Sequence, residues 1–137
     1  MAHPTHTLSM LQSTSGAGPR WPRGQKFTLS LAGREAHEAH RTAVLYARGL
    51  SRGALDAALA AWAAPRQVEP GDGVLLGELL DRPRGLADLT QALESAGASA
   101  AEVRAAVARL VKAGLVDLVP TARQEEDLRF PVRWART

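Results

Sequence analysis

Residues 99–119 read SAAEVRAAVARLVKAGLVDLV and contain the clearest secondary-structure signals of the chain. Ser99 is followed three residues later by Glu102, a capping-box pattern that satisfies free backbone amides where a helix begins. Apolar residues then recur at helical spacing, at Val103, Val107, Leu110 and Val111. Gly114 is suited to end the helix, because glycine adopts the left-handed conformation at little cost. The stretch therefore predicts a helix from Ser99 to about Gly114, followed by an extended segment over residues 115–119.

Two shorter helices and a second extended segment are predicted on either side of this stretch. Apolar residues at helical spacing predict helices over residues 74–80 and 86–93. Beyond a loop at residues 120–127, apolar and other side chains alternate in the order Leu128, Arg129, Phe130, Pro131, Val132, Arg133 and Trp134. The alternation predicts a strand that pairs with residues 115–119 as a two-stranded ribbon. Pro131 cannot donate a ladder hydrogen bond, so we expect this strand at a sheet edge.

The N-terminal end of the chain is predicted to form a tail and a short strand. Residues 1–24 are rich in Pro, Gly, Ser and Thr and show no apolar periodicity, which predicts a flexible tail. Phe27, Leu29 and Leu31 alternate with polar residues and would share one face. This pattern predicts a short, half-buried strand over residues 25–31.

A helical hairpin is predicted next. Gly33 is expected to turn the chain into a helix over residues 34–48, and a second helix follows over residues 51–64. The Pro- and Gly-rich stretch 65–73 has the composition of a loop. Alanines on a packing face let helix axes approach closely, so residues 34–64 are a candidate surface for homodimer formation. Packing of the same helices against the rest of the chain is the open alternative.

Composition limits the classes of protein to consider. The chain has 137 residues, which suits one domain or one domain with a short appendage. It contains no cysteine, which excludes disulfides and thiolate-bound metals. No apolar run is long enough to span a bilayer and residues 1–24 do not resemble a secretory signal, so we expect a cytoplasmic protein without membrane contact. The 17 basic and 14 acidic residues leave a net charge of +3, which permits nucleic-acid binding without requiring it.

The elements together predict a mainly α fold with a small β-ribbon. A short strand and a helical hairpin occupy residues 25–66, and three helices and the ribbon occupy residues 73–137. Three stretches of the second part follow a pattern found in many small bacterial transcriptional regulators: GLADL (85–89), SAAEV (99–103) and RLVKAGLV (109–116). Through these motifs, residues 73–134 resemble a winged helix-turn-helix domain.

The resemblance implies a transcriptional regulator that contacts duplex DNA through its third helix and its wing. Arg104, Arg109 and Lys112 on the third helix would then contact phosphates or base edges. Arg129 and Arg133 in the wing would hold the DNA backbone beside the groove. These five residues are the predicted DNA-binding set.

Two features favour a different function, that of a non-enzymatic adaptor for a protein or peptide. The connection Glu94–Ala98 is longer than the tight turn usual in the regulators. Residues 73–119 equally resemble winged-helix modules with such a connection that bind peptides, such as the peptide chaperone of pyrroloquinoline quinone biosynthesis and related leader-peptide recognition elements. The outward face of the third helix is mostly alanine, which offers few hydrogen bonds to base edges. DNA binding remains the first expectation, because it is the commonest use of this fold.

Catalysis, metal binding and cofactor binding are not expected. His37 and His40 lie on either side of Glu38 but are three residues apart, whereas the zinc-protease motif has two histidines four residues apart. His40 lies on the apolar stripe of its helix, which predicts a place in the core or in an interface. The sequence also lacks a glycine-rich loop with a phosphate-binding lysine.

Overall fold

Five helices and a three-stranded antiparallel sheet form residues 20–120, the part of the chain that this computed structural model describes. The mainly α fold with a small β component is therefore confirmed. The elements in chain order are strand β1 (Lys26–Leu29), helices α1 (Leu31–Ala47) and α2 (Arg52–Ala63), a 3₁₀ helix (Ala64–Arg66), helix α3 (Asp72–Glu78), strand β2 (Arg84–Gly85), helix α4 (Leu86–Leu93), a second 3₁₀ helix (Glu94–Ala96), helix α5 (Ala100–Lys112) and strand β3 (Val116–Val119). None of the helices within residues 20–120 has the length and apolar character needed to cross a bilayer.

The sheet has the strand order β2–β1–β3, so the N-terminal strand lies at its centre. Phe27 pairs with Arg84 of β2 on one side and with Leu118 of β3 on the other. The extended segment 115–119 is thus confirmed as β3, but its neighbour in the described residues is β1. The strand predicted over residues 128–134, which was expected to be that neighbour, lies outside the described residues. Within residues 20–120, the other edge of β3 has no partner strand.

Ser30 ends β1 and begins α1, which corrects the predicted boundary between strand and helix. The Ser30 hydroxyl accepts a hydrogen bond from the Gly33 N–H (2.9 Å) and donates one to the Gly114 carbonyl oxygen (2.6 Å). The Ser30 N–H donates to the Leu115 carbonyl oxygen at 3.1 Å. The prediction that Leu31 continues the buried face of the strand is wrong. Leu31 is the first residue of α1 and is 75% exposed, because Ser30 acts as the helix N-cap.

Gly33 lies in the first turn of α1 and not in a turn before the helix, as its position in the sequence had suggested. A Cβ atom at this position would overlap the Leu115 carbonyl oxygen. The missing side chain therefore lets α1 lie directly on the backbone between α5 and β3. Gly73 in α3 has a similar role, because a Cβ there would overlap the ring of His40 in α1.

One hydrophobic core contains residues of the predicted segment 25–66 and of residues 73–120, the described part of the second predicted segment. Its members that are essentially inaccessible to solvent are Phe27, Leu76, Leu79, Leu89, Val103, Val107, Leu110 and Val116. Trp62 of α2 adds a buried hydrogen bond, since its indole N–H donates to the Ala36 carbonyl oxygen at 2.9 Å. The predicted helical hairpin is confirmed as α1 and α2, which pack along each other. The loop is shorter in the structure than the predicted range 65–73, because that range overlaps the 3₁₀ helix at its start and α3 from Asp72 onward.

Replacing Gly33 by Ala tests the close contact between α1 and the backbone of Leu115. We expect Gly33→Ala to lower the free energy of unfolding by about 1–3 kcal/mol, as overpacking does elsewhere. The matched control is Gly53→Ala, because Gly53 is an exposed helical glycine whose nearest neighbouring atom would be the Ser51 Oγ at 3.9 Å. This control should leave stability unchanged or slightly higher. Urea unfolding followed by circular dichroism measures both, and equal stabilities of the two variants would contradict the prediction.

Candidate functional site

Helix α5 presents two of the predicted DNA-binding cations to solvent, Arg104 and Lys112. Lys112 lies on the side of the helix opposite the buried Val107 and Leu110, and Arg104 lies on its flank. Arg129 and Arg133, the two cations assigned to the wing, lie outside the described residues. Between Arg104 and Lys112 the outward face consists largely of alanine, as the sequence predicts.

Arg109, the third predicted cation of α5, is bonded to Asp72 at the start of α3. Its Nε and Nη2 atoms donate to the two carboxylate oxygens at 2.8 and 2.9 Å. Asp72 is only 4% exposed, and its Oδ2 also accepts from the Glu69 N–H at 2.9 Å. The hydrogen bond to Asp72 is the main cause that raises the pKa of Arg109 above its ordinary value. The guanidinium group is therefore fixed in one orientation, with Asp72 neutralising its charge.

Asp72 is a neighbour of Arg109 that the sequence did not predict. Residues 65–73 have the composition of a loop, so Asp72 looks like one more solvated loop residue. Its partner, Arg109, lies 37 positions further along the chain. Nothing in a single sequence links two such residues, and the pair becomes visible only once α3 and α5 are packed together.

An open groove lies between the start of α3 and the middle of α5, with a volume of about 520 Å³. Apolar side chains form most of its surface: Val74, Leu75, Leu93, Ala98, Val103 and Ala105. Val74 is 51% exposed, which is unusual for a residue in the middle of a short helix that packs on a core. Glu69, Glu102 and Arg109 are the charged residues of the groove besides Asp72. We call this feature the α3–α5 groove.

Charge is distributed unevenly along the described residues. Residues 70–120 contain seven acidic and five basic side chains, whereas residues 20–69 contain four acidic and eight basic ones. Two of the five basic side chains, Arg82 and Arg84, form ion pairs with Asp88 at 3.3 Å. The part of the chain that contains α3, α4 and α5 therefore lacks the excess of positive charge that would attract a phosphate backbone.

The connection between α4 and α5 is long, as predicted. It contains a 3₁₀ helix over Glu94–Ala96 and a left-handed Gly97 before Ser99 caps α5. The predicted capping box is confirmed, since Ser99 N–H donates to Glu102 at 2.8 Å and Glu102 N–H donates to the Ser99 hydroxyl at 3.1 Å. Gly97 and Ala98 also form one end of the α3–α5 groove. The longer connection thus shapes the groove directly.

The two histidines of α1 pack against neighbouring elements. The His40 ring contacts Trp62 edge to face, with 4.9 Å between ring centroids, and it lies against Gly73. His40 is half-buried, in agreement with its predicted packing role. No group of three or more potential metal ligands occurs within residues 20–120. The pair His37 and His40 therefore has no third ligand in that part of the chain.

No family model matches this chain, and neither the curated proteins nor the solved structures contain a significant match to it.

The ion pair between Arg109 and Asp72 predicts unequal effects of two similar substitutions on α5. Arg109→Met should lower the free energy of unfolding by about 2 kcal/mol, because it leaves a buried carboxylate with only one remaining hydrogen bond. Lys112→Met should change it by less than about 0.5 kcal/mol, because Lys112 is exposed. Chemical denaturation of the two variants measures the difference. Equal stabilities would show that Asp72 does not need Arg109.

The burial of His40 predicts that the free energy of unfolding depends on pH. Burial lowers the pKa of His40 below its ordinary value of 6.5, and the neighbouring His37 lowers it further. Because the unfolded chain binds the proton more readily, the free energy of unfolding should fall as the pH is lowered through about 6.5. His40→Gln should reduce this slope, whereas His37→Gln should retain most of it. Denaturation curves between pH 7.5 and pH 5.5 test the difference, and identical slopes for His40→Gln and the unmodified protein would contradict it.

Proposed function

We propose that this chain is a cytoplasmic, non-enzymatic binding domain of the winged helix-turn-helix type whose partner is a protein or peptide. The α3–α5 groove would bind a segment of that partner in which Lys or Arg lies beside apolar side chains. The order of helix, strand, two helices and strand from α3 to β3 supports the proposed fold type. The observation that carries the function is the groove itself, in which an apolar surface lies beside an arginine held rigid by a buried carboxylate.

The apolar surface of the groove supplies the affinity. The exposed side chains of Val74 and Ala105 line the groove together with Leu75 and Val103, which are buried. Each apolar partner side chain buried here would contribute about 1.5–3 kcal/mol. A volume of about 520 Å³ has room for a few side chains and lies within the usual range of binding clefts. After the entropic cost of ordering a peptide, we expect dissociation constants in the micromolar range.

The charged residues of the groove supply selectivity. Asp72 neutralises Arg109, so the carboxylates of Glu69 and Glu102 leave an excess of negative charge. A partner with Lys or Arg beside its apolar side chains is therefore favoured over an acidic one. Asp72 engages the Nε and Nη2 atoms of Arg109, and no hydrogen bond within residues 20–120 involves Nη1. This atom can donate to a backbone carbonyl oxygen of the bound segment without any rearrangement of the side chain.

DNA binding is the second candidate, and it is favoured by one observation. Arg104 and Lys112 are both exposed, Arg104 on the flank of α5 and Lys112 on its outward face. They are eight positions apart, so they lie about 12 Å apart along the helix axis, within reach of one phosphate backbone. Against this stand the engagement of Arg109 by Asp72 and the acidic excess over residues 70–120. These two features favour protein binding over DNA binding.

Selection from a displayed random-peptide library against the full chain tests the proposal. We expect enriched peptides to combine apolar residues with Lys or Arg. Val74→Glu and Ala105→Glu should each weaken binding of a selected peptide by tenfold or more, since each puts a charge on the apolar surface. Leu80→Glu is the matched control, because Leu80 is 42% exposed and follows α3 at the end distant from the groove. Fluorescence anisotropy with a labelled peptide measures all three.

The same variants separate the two functions. Loss of peptide binding in Leu80→Glu to the same extent as in Val74→Glu would reject the groove as the site. In parallel, the full chain is titrated with a mixed-sequence DNA duplex at two salt concentrations. Tight binding that weakens steeply with salt and is lost in Arg104→Ala and Lys112→Ala, together with a library that yields no groove-dependent peptide, would make DNA binding the function.

A further inference from the structure

The end of the α1–α2 hairpin exposes apolar side chains beside a cavity. We call residues 44–56, which join the two helices, the hairpin tip. Three large apolar side chains project from it: Leu45, Tyr46 and Leu50 are 48%, 81% and 64% exposed. At the same end of the hairpin, Leu50 lines a cavity of about 550 Å³ together with the half-buried side chains of Val44 and Leu55. Projecting groups and recess belong to the same short segment.

We propose that the hairpin tip is the contact surface between two copies of this chain, related by a twofold axis. In such an interface the same surface faces itself, so each copy must supply both a projection and a matching recess. The hairpin tip has both. Leu45 and Tyr46 are the projections, and the cavity that Val44, Leu50 and Leu55 line is the recess. Aromatic side chains that fill a recess are the groups that contribute most to interface affinity.

The charges around the cavity also favour a second copy. Arg48, Arg52 and Asp56 all line it, so its rim contains both signs of charge. Two copies facing each other can therefore place an arginine of one beside Asp56 of the other. An anionic lipid surface would instead require a consistently basic rim. The adjacent Arg41 does not supply one, because it is bonded to Glu38 at 3.0 Å.

The chain's own terminal segments leave the described domain far from the hairpin tip. Residue 120 directly follows β3, and Val119 accepts a hydrogen bond from the Gln25 side chain at 2.7 Å, so both ends of the described chain lie at the sheet. Helix α1 has 17 residues and begins at the sheet, next to Gly114. Its length of about 25 Å separates the hairpin tip from both ends. Both points at which the chain leaves the described residues are therefore distant from the hairpin tip.

The size of the patch sets the expected strength of the contact. Three exposed side chains form an apolar patch of a few hundred Å². Specific interfaces bury at least about 1,200 Å² in total, so a contact built on three exposed side chains of each copy and the cavity rim belongs among the weaker ones. We therefore expect a reversible dimer with a dissociation constant in the micromolar range.

Sedimentation velocity of the full chain over a range from low to high micromolar concentration tests the proposal. The unmodified protein should pass from monomer to dimer. Tyr46→Asp and Leu50→Asp should each weaken dimerisation by about tenfold or more. Leu31→Asp is the matched control: Leu31 is on the same helix and is 75% exposed, but it lies at the opposite end. It should dimerise like the unmodified protein, and circular dichroism checks that all variants fold.

Three results would overturn the proposal. The first is a monomer at every concentration. The second is a dimer that Leu31→Asp weakens as much as Tyr46→Asp does, which would indicate unspecific association. The third is a monomeric protein that binds phosphatidylserine vesicles through Tyr46, which would assign the hairpin tip to a lipid surface. Peptide binding in the α3–α5 groove should be unaffected by Tyr46→Asp, so the two proposals can fail separately.

Discussion

The position of β1 between β2 and β3 holds the two parts of the molecule together. β1 has only four residues, yet it supplies ladder hydrogen bonds to both neighbours and places Phe27 and Leu29 in the core. At its end, Ser30 bonds to the backbone at Gly114 and Leu115 and caps α1 in the same step. The direction of the whole helical hairpin is therefore set by a strand and one serine. Gly33 completes the constraint, because only a residue without a side chain lets α1 lie on that backbone.

The sequence predicted those helices whose ends are determined by neighbouring residues in the chain. α4 runs over residues 86–93 as predicted, and the capping box at Ser99 fixes the start of α5. The boundary at Ser30 was missed because two local patterns overlap there. The alternation of Phe27 and Leu29 continues to Leu31, while Ser30 is also a good N-cap, and a pattern alone cannot choose between them. The structure adopts the N-cap at Ser30, which leaves Leu31 exposed as the first residue of α1.

At the candidate site, local sequence patterns likewise fail to predict contacts between residues that are far apart in the sequence. Helical periodicity correctly predicts that Arg104 and Lys112 face solvent, because exposure on one helix is a local property. It cannot predict that Arg109 is bonded to Asp72, since that contact depends on how α3 packs against α5. The α3–α5 groove arises from the same packing and from the shape of the long connection at Gly97. The candidate site therefore depends on surfaces between helices more than on any single motif.

The central position of β1 also affects how the chain can fold as it is synthesised. Gln25, just before β1, bonds to Val119, which is 94 residues further along the chain. A nascent chain thus presents Phe27 and Leu29 long before the strand that will cover one side of them has left the ribosome. Contacts so distant in sequence slow folding and leave apolar strand edges unprotected in the meantime. A fragment that ends before β3 would lack one of the two neighbours of β1, and the helices that rest on this strand would lose their common support.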